Sequence, residues 1–451
     1  MKKILFIFLL LLPAFIDAES FVVSDIPLPK TYVQNLDPYE CDDACMEDFL
    51  QKEMIFSFLA HADKKLDNKE LNDIRSMNIA IFNLGAFNAG GKLKIALILP
   101  YKKIGKYAST TTNAAFAYLM TKSNPFTLKS YRIESENSED IQNALSAIKA
   151  DGFEYVIAPL TQKGANNIIE LNPSLNIYFP TINKKDINVS SSYYTFGGID
   201  YQAQSKLLLK EAVSPLIIFS DKSTTGKKLA LFQKEEFLHP SKSIEEDVEE
   251  NGVFGSFFHT QSQGESIDEE ALQTDDENLT QREVLEFYIS RRTTNLEKQL
   301  KENENIINGS FMLNTPIIKS GMIMSQLTLY DTNATNLLST QINYDPLLLS
   351  MTQYRDREKM IIANSIIQNN KLLIDTNALL GNDIVYDWIN YTTTVGIDYF
   401  YNQITGEARE YEIKIKDKQM AYEIELLRPG RTKFFKYIPK PPQDNELEEG
   451  E

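Results

Sequence analysis

Histidine is scarce in this 451-residue chain, with three copies, and so are cysteine, with two, and tryptophan, with one. Imidazoles occur only at His61, His239 and His259, and none sits in a recognisable catalytic setting. The sequence has no G-x-S-x-G elbow, no Walker loop and no H-E-x-x-H pair. Nothing selects a pair of carboxylates for acid–base work. We therefore expect a non-enzyme, with no catalytic residue, no metal and no cofactor. Positive charge is also short: 46 Lys and Arg stand against 63 Asp and Glu, for a net −17. That balance argues against nucleic acid as a partner. No internal period recurs, so a solenoid is not expected.

Long apolar runs are confined to the start. Ile4–Leu12 follows Lys2 and Lys3 and is too short to span a bilayer. With Pro13 and the Ile16-Asp17-Ala18 cleavage site, residues 1–18 read as a signal peptide. The expected mature chain starts near Glu19, is periplasmic and soluble, and has no membrane span. No cysteine sits just after the cleavage point, so a lipoprotein anchor is not expected.

The two cysteines, Cys41 and Cys45, lie in ECDDAC. In an oxidising compartment a local disulfide is the leading reading. A spacing of four would need a turn or a distorted helix to bring the sulfurs together. Metal binding there is weak, because His61 is the only nearby imidazole.

What the sequence does contain is a strand-and-helix grammar centred on Lys92–Lys122. Ile95, Leu97, Ile98 and Leu99 form a short apolar run, the pattern of a strand buried in a parallel sheet. Pro100 stops it, and Ser109 or Thr110 can cap a helix over Thr111–Thr121. Strands are expected again at Phe126–Ile133, Tyr155–Ala158, Leu175–Phe179, Leu216–Ser220, Ser310–Asn314, Asn336–Gln341 and Met360–Ile366. Helices are expected at Asp140–Asp151, Gly164–Leu171, Gln202–Ala212, Glu283–Leu300, Ile317–Leu327 and Asp383–Phe400. Alternation on either side of Lys416-Asp417-Lys418 predicts a terminal hairpin.

The organisation follows. An extended arm (19–37) leads to a helical domain (38–85), where Met46, Phe49, Leu50, Phe58 and Leu59 recur at helical spacings. A hinge (86–91, within GAFNAGG) precedes one α/β lobe (92–213) and a second (214–350). The second lobe carries an acidic insertion at about 235–280, read as a solvated loop system. A return segment with the terminal hairpin (351–438) and a disordered acidic tail (439–451) close the chain.

KIALILPYKKIGKYAS, EYVIAPLT, YYTFGG, LLSTQINYDP and ITGEAREYEIKIKDKQMAYEIELL together resemble the type 1 periplasmic binding-protein family of branched-chain amino-acid receptors. The resemblance covers about Lys92–Tyr437. With a helical domain ahead of it, the chain also looks like the outer-membrane activator of a penicillin-binding peptidoglycan synthase. The resemblance implies an α/β fold of two lobes closing on a ligand through crossing strands. It further implies ligand contacts at Ser109 and Thr110, at Thr161, at Tyr194 and at Asp221. Each of these also reads as ordinary capping or turn chemistry.

Three sites carry an acid two residues before Asn and a hydroxyl two after: Asp186 with Asn188 and Ser190, Asp276 with Asn278 and Thr280, and Asp331 with Asn333 and Thr335. This matches the acceptor pattern of bacterial periplasmic N-glycosylation, so an N-glycoprotein is expected. Asn308 and Asn390 carry only the shorter N-x-S/T pattern. Two functions stay open. One is a receptor for a small polar or anionic solute; the other is a non-catalytic envelope scaffold or regulator that binds an envelope protein.

Overall fold

The computed structural model describes residues 33–37, 39–82, 84, 93–241 and 282–439. The expected signal peptide, the hinge, Asn278, most of the arm and acidic insertion, and nearly all of the tail lie outside the described residues. The chain divides into two compact units, residues 1–90 and 91–451.

The first unit holds α1 (Asp43–Gln51), α2 (Ile55–His61) and α3 (Lys69–Ile81). Met46, Phe58, Leu59, Ala62 and Leu71 bury their side chains between them, with Val33 and Leu84. Asp42 caps α1 by accepting the Cys45 N–H at 2.9 Å. Cys41 and Cys45 are disulfide-bonded with their Cα atoms 5.3 Å apart. Cys41 precedes the cap, so the bond closes across the start of the helix. That start is the turn a spacing of four requires.

The second unit begins with β1 (Leu93–Leu99), α4 (Tyr107–Met120), β2 (Phe126–Arg132), α5 (Ser138–Ala150), β3 (Tyr155–Ile157), α6 (Gln162–Leu171), β4 (Asn176–Phe179) and β5 (Tyr194–Phe196). It continues with α7 (Tyr201–Leu209), β6 (Leu216–Asp221), α8 (Thr224–Leu238), β7 (Val284–Ile289), β8 (Ser310–Asn314), α9 (Ile317–Leu329), β9 (Asn336–Ser339) and β10 (Met360–Asn364). Last come α10 (Lys371–Leu379), α11 (Trp388–Thr405), β11 (Lys414–Lys416), β12 (Gln419–Ala421), β13 (Glu425–Pro429) and β14 (Phe434–Lys436).

Two seven-stranded sheets result, ordered β11-β12-β5-β4-β3-β1-β2 and β14-β13-β10-β9-β8-β6-β7. In the first, β1 lies between β2 and β3 with Ile95 opposite Leu128 and Tyr155, all parallel. Ile95 to Leu99 are fully buried, as a central strand covered on both faces requires. The chain passes between the sheets at 197–200, at 365–370 and at 422–424. Helix α7 packs against α8 and β10 of the second lobe, whereas α10 and α11 return to pack on α4 of the first.

Three expectations need correction. The first concerns 283–300, expected as one helix, which is strand β7 followed only by a short turn of helix at Glu297–Leu300. Val284, Phe287, Tyr288 and Ile289 favour a strand, and β7 pairs in parallel with β6 from Leu216–Val284 to Asp221–Ile289. Ser223 caps α8, which runs to Leu238 ahead of that strand. Second, Ser109 and Thr110 do not cap α4. The helix starts at Tyr107, and their hydroxyls donate back to Lys106 O at 2.9 Å and Tyr107 O at 3.5 Å within its first turn. Third, the single terminal hairpin is two. β11–β12 joins the first sheet and β13–β14 the second, so the chain crosses between lobes where one hairpin was expected.

Candidate functional site

Parallel α/β sheets gather loops and helix N-termini at the carboxyl ends of their strands, where ligands bind. In the first lobe these loops are 100–106, 133–137, 158–161 and 180–183; in the second they are 221–223, 314–316, 340–344 and 364–366.

Thr161 stands at the N-cap of α6 and its own side chain makes no cap bond. The first turn of a helix presents unsatisfied N–H groups and a positive dipole end, a place for an anion. An anion is already there. Glu136, on the loop after β2 and only 4% exposed, accepts the Thr161 N–H at 2.8 Å on Oε1 and the Thr161 hydroxyl on Oε2. Its backbone carbonyl accepts from Asn167 Nδ2 at 2.6 Å, tying the loop along α6. Gly164 in that turn leaves the room, since a Cβ there would stand 3.0 Å from the Glu136 carboxyl carbon.

The lobes touch through aromatic rings. Tyr344, beyond β9, packs its ring 5.0 Å from Tyr386, on the segment leading into α11, and Phe434 packs against both. Burial pushes both tyrosine hydroxyls above their usual titration range. The neighbouring segment is pinned to the start of α4, where Asn382 Nδ2 donates to Thr110 O at 2.8 Å. Also between the lobes, Lys228 of α8 lies 3.5 Å from Asp186, both well exposed.

At the crossings, three hydroxyls meet. Tyr178 OH is 2.8 Å from Thr392 Oγ1 and 3.2 Å from Tyr422 OH, and Thr392 also donates to Gly197 O at 2.8 Å. A Cβ on Gly197 would overlap the Tyr178 hydroxyl, and one on Gly396 would overlap its ring. Both glycines are there because Tyr178 comes this close.

The expected contacts are scattered by comparison. Thr161 is partly exposed and committed to Glu136. Ser109 is exposed in the first turn of α4, with Thr110 half-buried beside it. Tyr194 is 1% exposed in the first lobe's core, its ring 6.0 Å from Phe179 and its hydroxyl donating to Asn172 Oδ1 at 3.4 Å. Asp221 Oδ1 accepts from Ser223 N at 3.0 Å and from Ser223 Oγ, a turn that opens α8. Sequence reasoning missed Glu136, Tyr344, Tyr386 and the Tyr178–Thr392–Tyr422 trio. Glu136 in RIESENSED carries no signal that separates it from Glu134 or Glu139.

Among the described residues no group of His, Cys, Asp and Glu could hold a metal ion, and no helix is long and apolar enough to cross a membrane.

No family model and no curated protein sequence matches the chain. Solved structures do. The substrate-binding protein LivJ of a branched-chain amino-acid transporter from Streptococcus pneumoniae, in complex with isoleucine, aligns at TM-score 0.50 and 9% identity. That alignment covers 77% of this chain and 99% of that one. A putative branched-chain amino-acid ABC transporter protein from Rhodospirillum rubrum aligns at TM-score 0.51 and 8% identity, covering 76% and 99%. Haemophilus influenzae LpoA aligns at TM-score 0.48 and 9% identity, covering 85% of this chain and 68% of that one. At such identities the likeness speaks to architecture alone. Two lobes of parallel sheet joined by three crossings, matched over nearly the full length of the two transporter proteins, give the chain the type 1 periplasmic binding-protein fold.

Proposed function

We propose that this chain is a non-catalytic protein of the cell envelope that uses the binding-protein fold to engage a protein partner, its cleft closed on its own side chains. The observation that carries this reading is Glu136. A receptor for a carboxylate solute keeps helix-start donors open for its ligand, and here the chain's own carboxylate takes the Thr161 N–H and hydroxyl. The Tyr344–Tyr386 contact supports the same reading, since it joins the two lobes through aromatic rings packed on each other. The helical unit ahead of the two lobes offers further surface for a partner. LpoA, whose C-domain is described as a regulator of PBP1A, illustrates that this use of the fold exists.

One observation favours a small polar solute instead. Thr340 Oγ1, Gln341 Nε2 and Asn343 Oδ1, at the carboxyl end of β9, are buried without a hydrogen-bond partner among the described residues. A hydroxylated or amide-bearing solute would satisfy them. Ser109, Thr110 and Asp221 would then be its outer contacts.

Native mass spectrometry of the full-length chain purified gently from its own cells separates the two. A bare mass, with or without a bound protein, is expected. A stoichiometric small molecule released on denaturation would sink the partner reading and identify the solute.

A further inference from the structure

The five asparagines in acceptor patterns are not equivalent in the folded chain. Asn390 is 2% exposed inside α11 and donates to Asp383 O at 3.0 Å. Asn308 is followed by Ser310, which is fully buried and accepts the Val213 N–H at 2.7 Å. Asn333 is exposed, but its amide is committed on both sides. Its Nδ2 donates to Asn308 Oδ1 at 2.6 Å, and its Oδ1 accepts from Lys359 at 3.2 Å. Thr335 donates to Asn308 O at 2.6 Å and holds the same turn.

Asn188 is placed differently. It is exposed on irregular backbone between the short helical turn Lys184–Asp186 and β5, and Ser190 is exposed with it. Among the described residues nothing hydrogen-bonds its amide. Ile187, between acid and acceptor, is buried in the first lobe's core and anchors the segment, so Asp186 and Asn188 both stand outward. Asp186 is half-exposed and its one ion pair among the described residues, to Lys228, is a long 3.5 Å. An extended acceptor segment must be pulled into the transferase with its acid, amide and hydroxyl all reachable. Asp331, Asn333 and Thr335 are exposed as well, but among the described acceptor asparagines only Asn188 combines that exposure with an amide free of hydrogen bonds.

We infer that Asn188 is a glycan acceptor on the folded protein, served by a transferase that reads the acid at Asp186. The donor is an oligosaccharide linked to a polyprenyl diphosphate. The Asn188 Nδ2 forms a bond to C1 of the first sugar as the C1–O bond to the diphosphate breaks; the amide loses one proton and polyprenyl diphosphate leaves. The glycan would stand beside the Asp186–Lys228 pair between the lobes.

The test adds a purified bacterial oligosaccharyltransferase and its lipid-linked oligosaccharide to the folded, unmodified full-length chain, followed by peptide mass mapping. An acceptor peptide confirms that the transferase is active. The expected result is a glycan on Asn188 that disappears in Asn188→Gln and falls severalfold in Asp186→Ala, with Asn308 and Asn390 bare. A bare Asn188 in the folded chain, or a glycan there that is indifferent to Asp186→Ala, overturns the assignment.

Discussion

Glu136 and Thr161 lie 25 residues apart in sequence and share two hydrogen bonds, N–H to Oε1 at 2.8 Å and hydroxyl to Oε2. The carboxylate thereby serves as the anion that the start of α6 calls for. Glu136→Ala removes charged hydrogen bonds from a buried place and should cost about 2 kcal/mol in a denaturant melt. The vacated donors would then accept a small carboxylate. Formate or acetate at millimolar levels should recover part of the lost stability in Glu136→Ala and leave the parent unchanged. If neither anion raises the variant's midpoint, the helix start is not an anion site, and the argument from Glu136 to function falls with it.

Closure of the lobes rests on rings rather than on charge. The Lys228–Asp186 pair is exposed and separated by 3.5 Å, and such pairs contribute little. Lys228→Ala should therefore leave stability within about 0.5 kcal/mol of the parent. Tyr344 and Tyr386 bury their faces on each other, and a double-mutant cycle of their Ala and Phe variants should return a coupling of about 1 kcal/mol. Small-angle scattering should show a larger radius of gyration in Tyr386→Ala. An unchanged radius would mean that the crossings alone hold the lobes.

The first lobe was largely legible, because its strands are buried on both faces and so read as unbroken apolar runs: Ile95–Leu99 is the clearest. The edge strand β7 was not. VLEFYI is half-exposed, and flanked by the polar, charged stretch beyond it the segment passes for an amphipathic helix. Pairing with β6, not propensity, decides it. The start of α4 misled for a different reason, since Lys106 holds the cap position without any side-chain bond and the hydroxyls that advertise a cap lie inside the first turn. The site was harder still. Tyr344 with Tyr386, and Tyr178 with Thr392 and Tyr422, are brought together only when the chain crosses between sheets, and a single sequence records no such meeting.

Alkaline pH provides a handle on the crossing. Burial pushes the Tyr178 hydroxyl from its ordinary 10 up to about 12. The folded state thus keeps a proton that the unfolded chain releases first. The stabilisation is complete below pH 10 and is lost as pH rises through about 12. Tyr178→Phe deletes the hydroxyl, should cost about 1 kcal/mol at neutral pH, and should flatten this alkaline decline relative to the parent. Equal slopes for the two proteins would show that the hydroxyl is not held protonated by the fold.

Asp398 makes the strongest single demand on the first lobe. It is fully buried on α11, where Oδ1 accepts from Tyr118 OH at 2.8 Å and Glu410 N at 2.7 Å. Its Oδ2 accepts from Arg409 Nε at 3.1 Å and Tyr411 N at 3.4 Å. Every one of these groups is a donor, so the site wants four acceptor lone pairs and a negative charge. Asp398→Asn keeps the shape but turns an NH2 toward donors and takes from Arg409 its ion-pair partner, leaving it the Ile413 carbonyl. The expected loss is about 3 kcal/mol or more, read as a shift in the denaturant midpoint with the slope unchanged. Because α11 packs on α4 and carries Thr392 to the crossing, the variant should also speed amide exchange in α4, far along the chain from the substitution. A small loss confined to residues 398–411 would mean that this carboxylate fastens only its own loop.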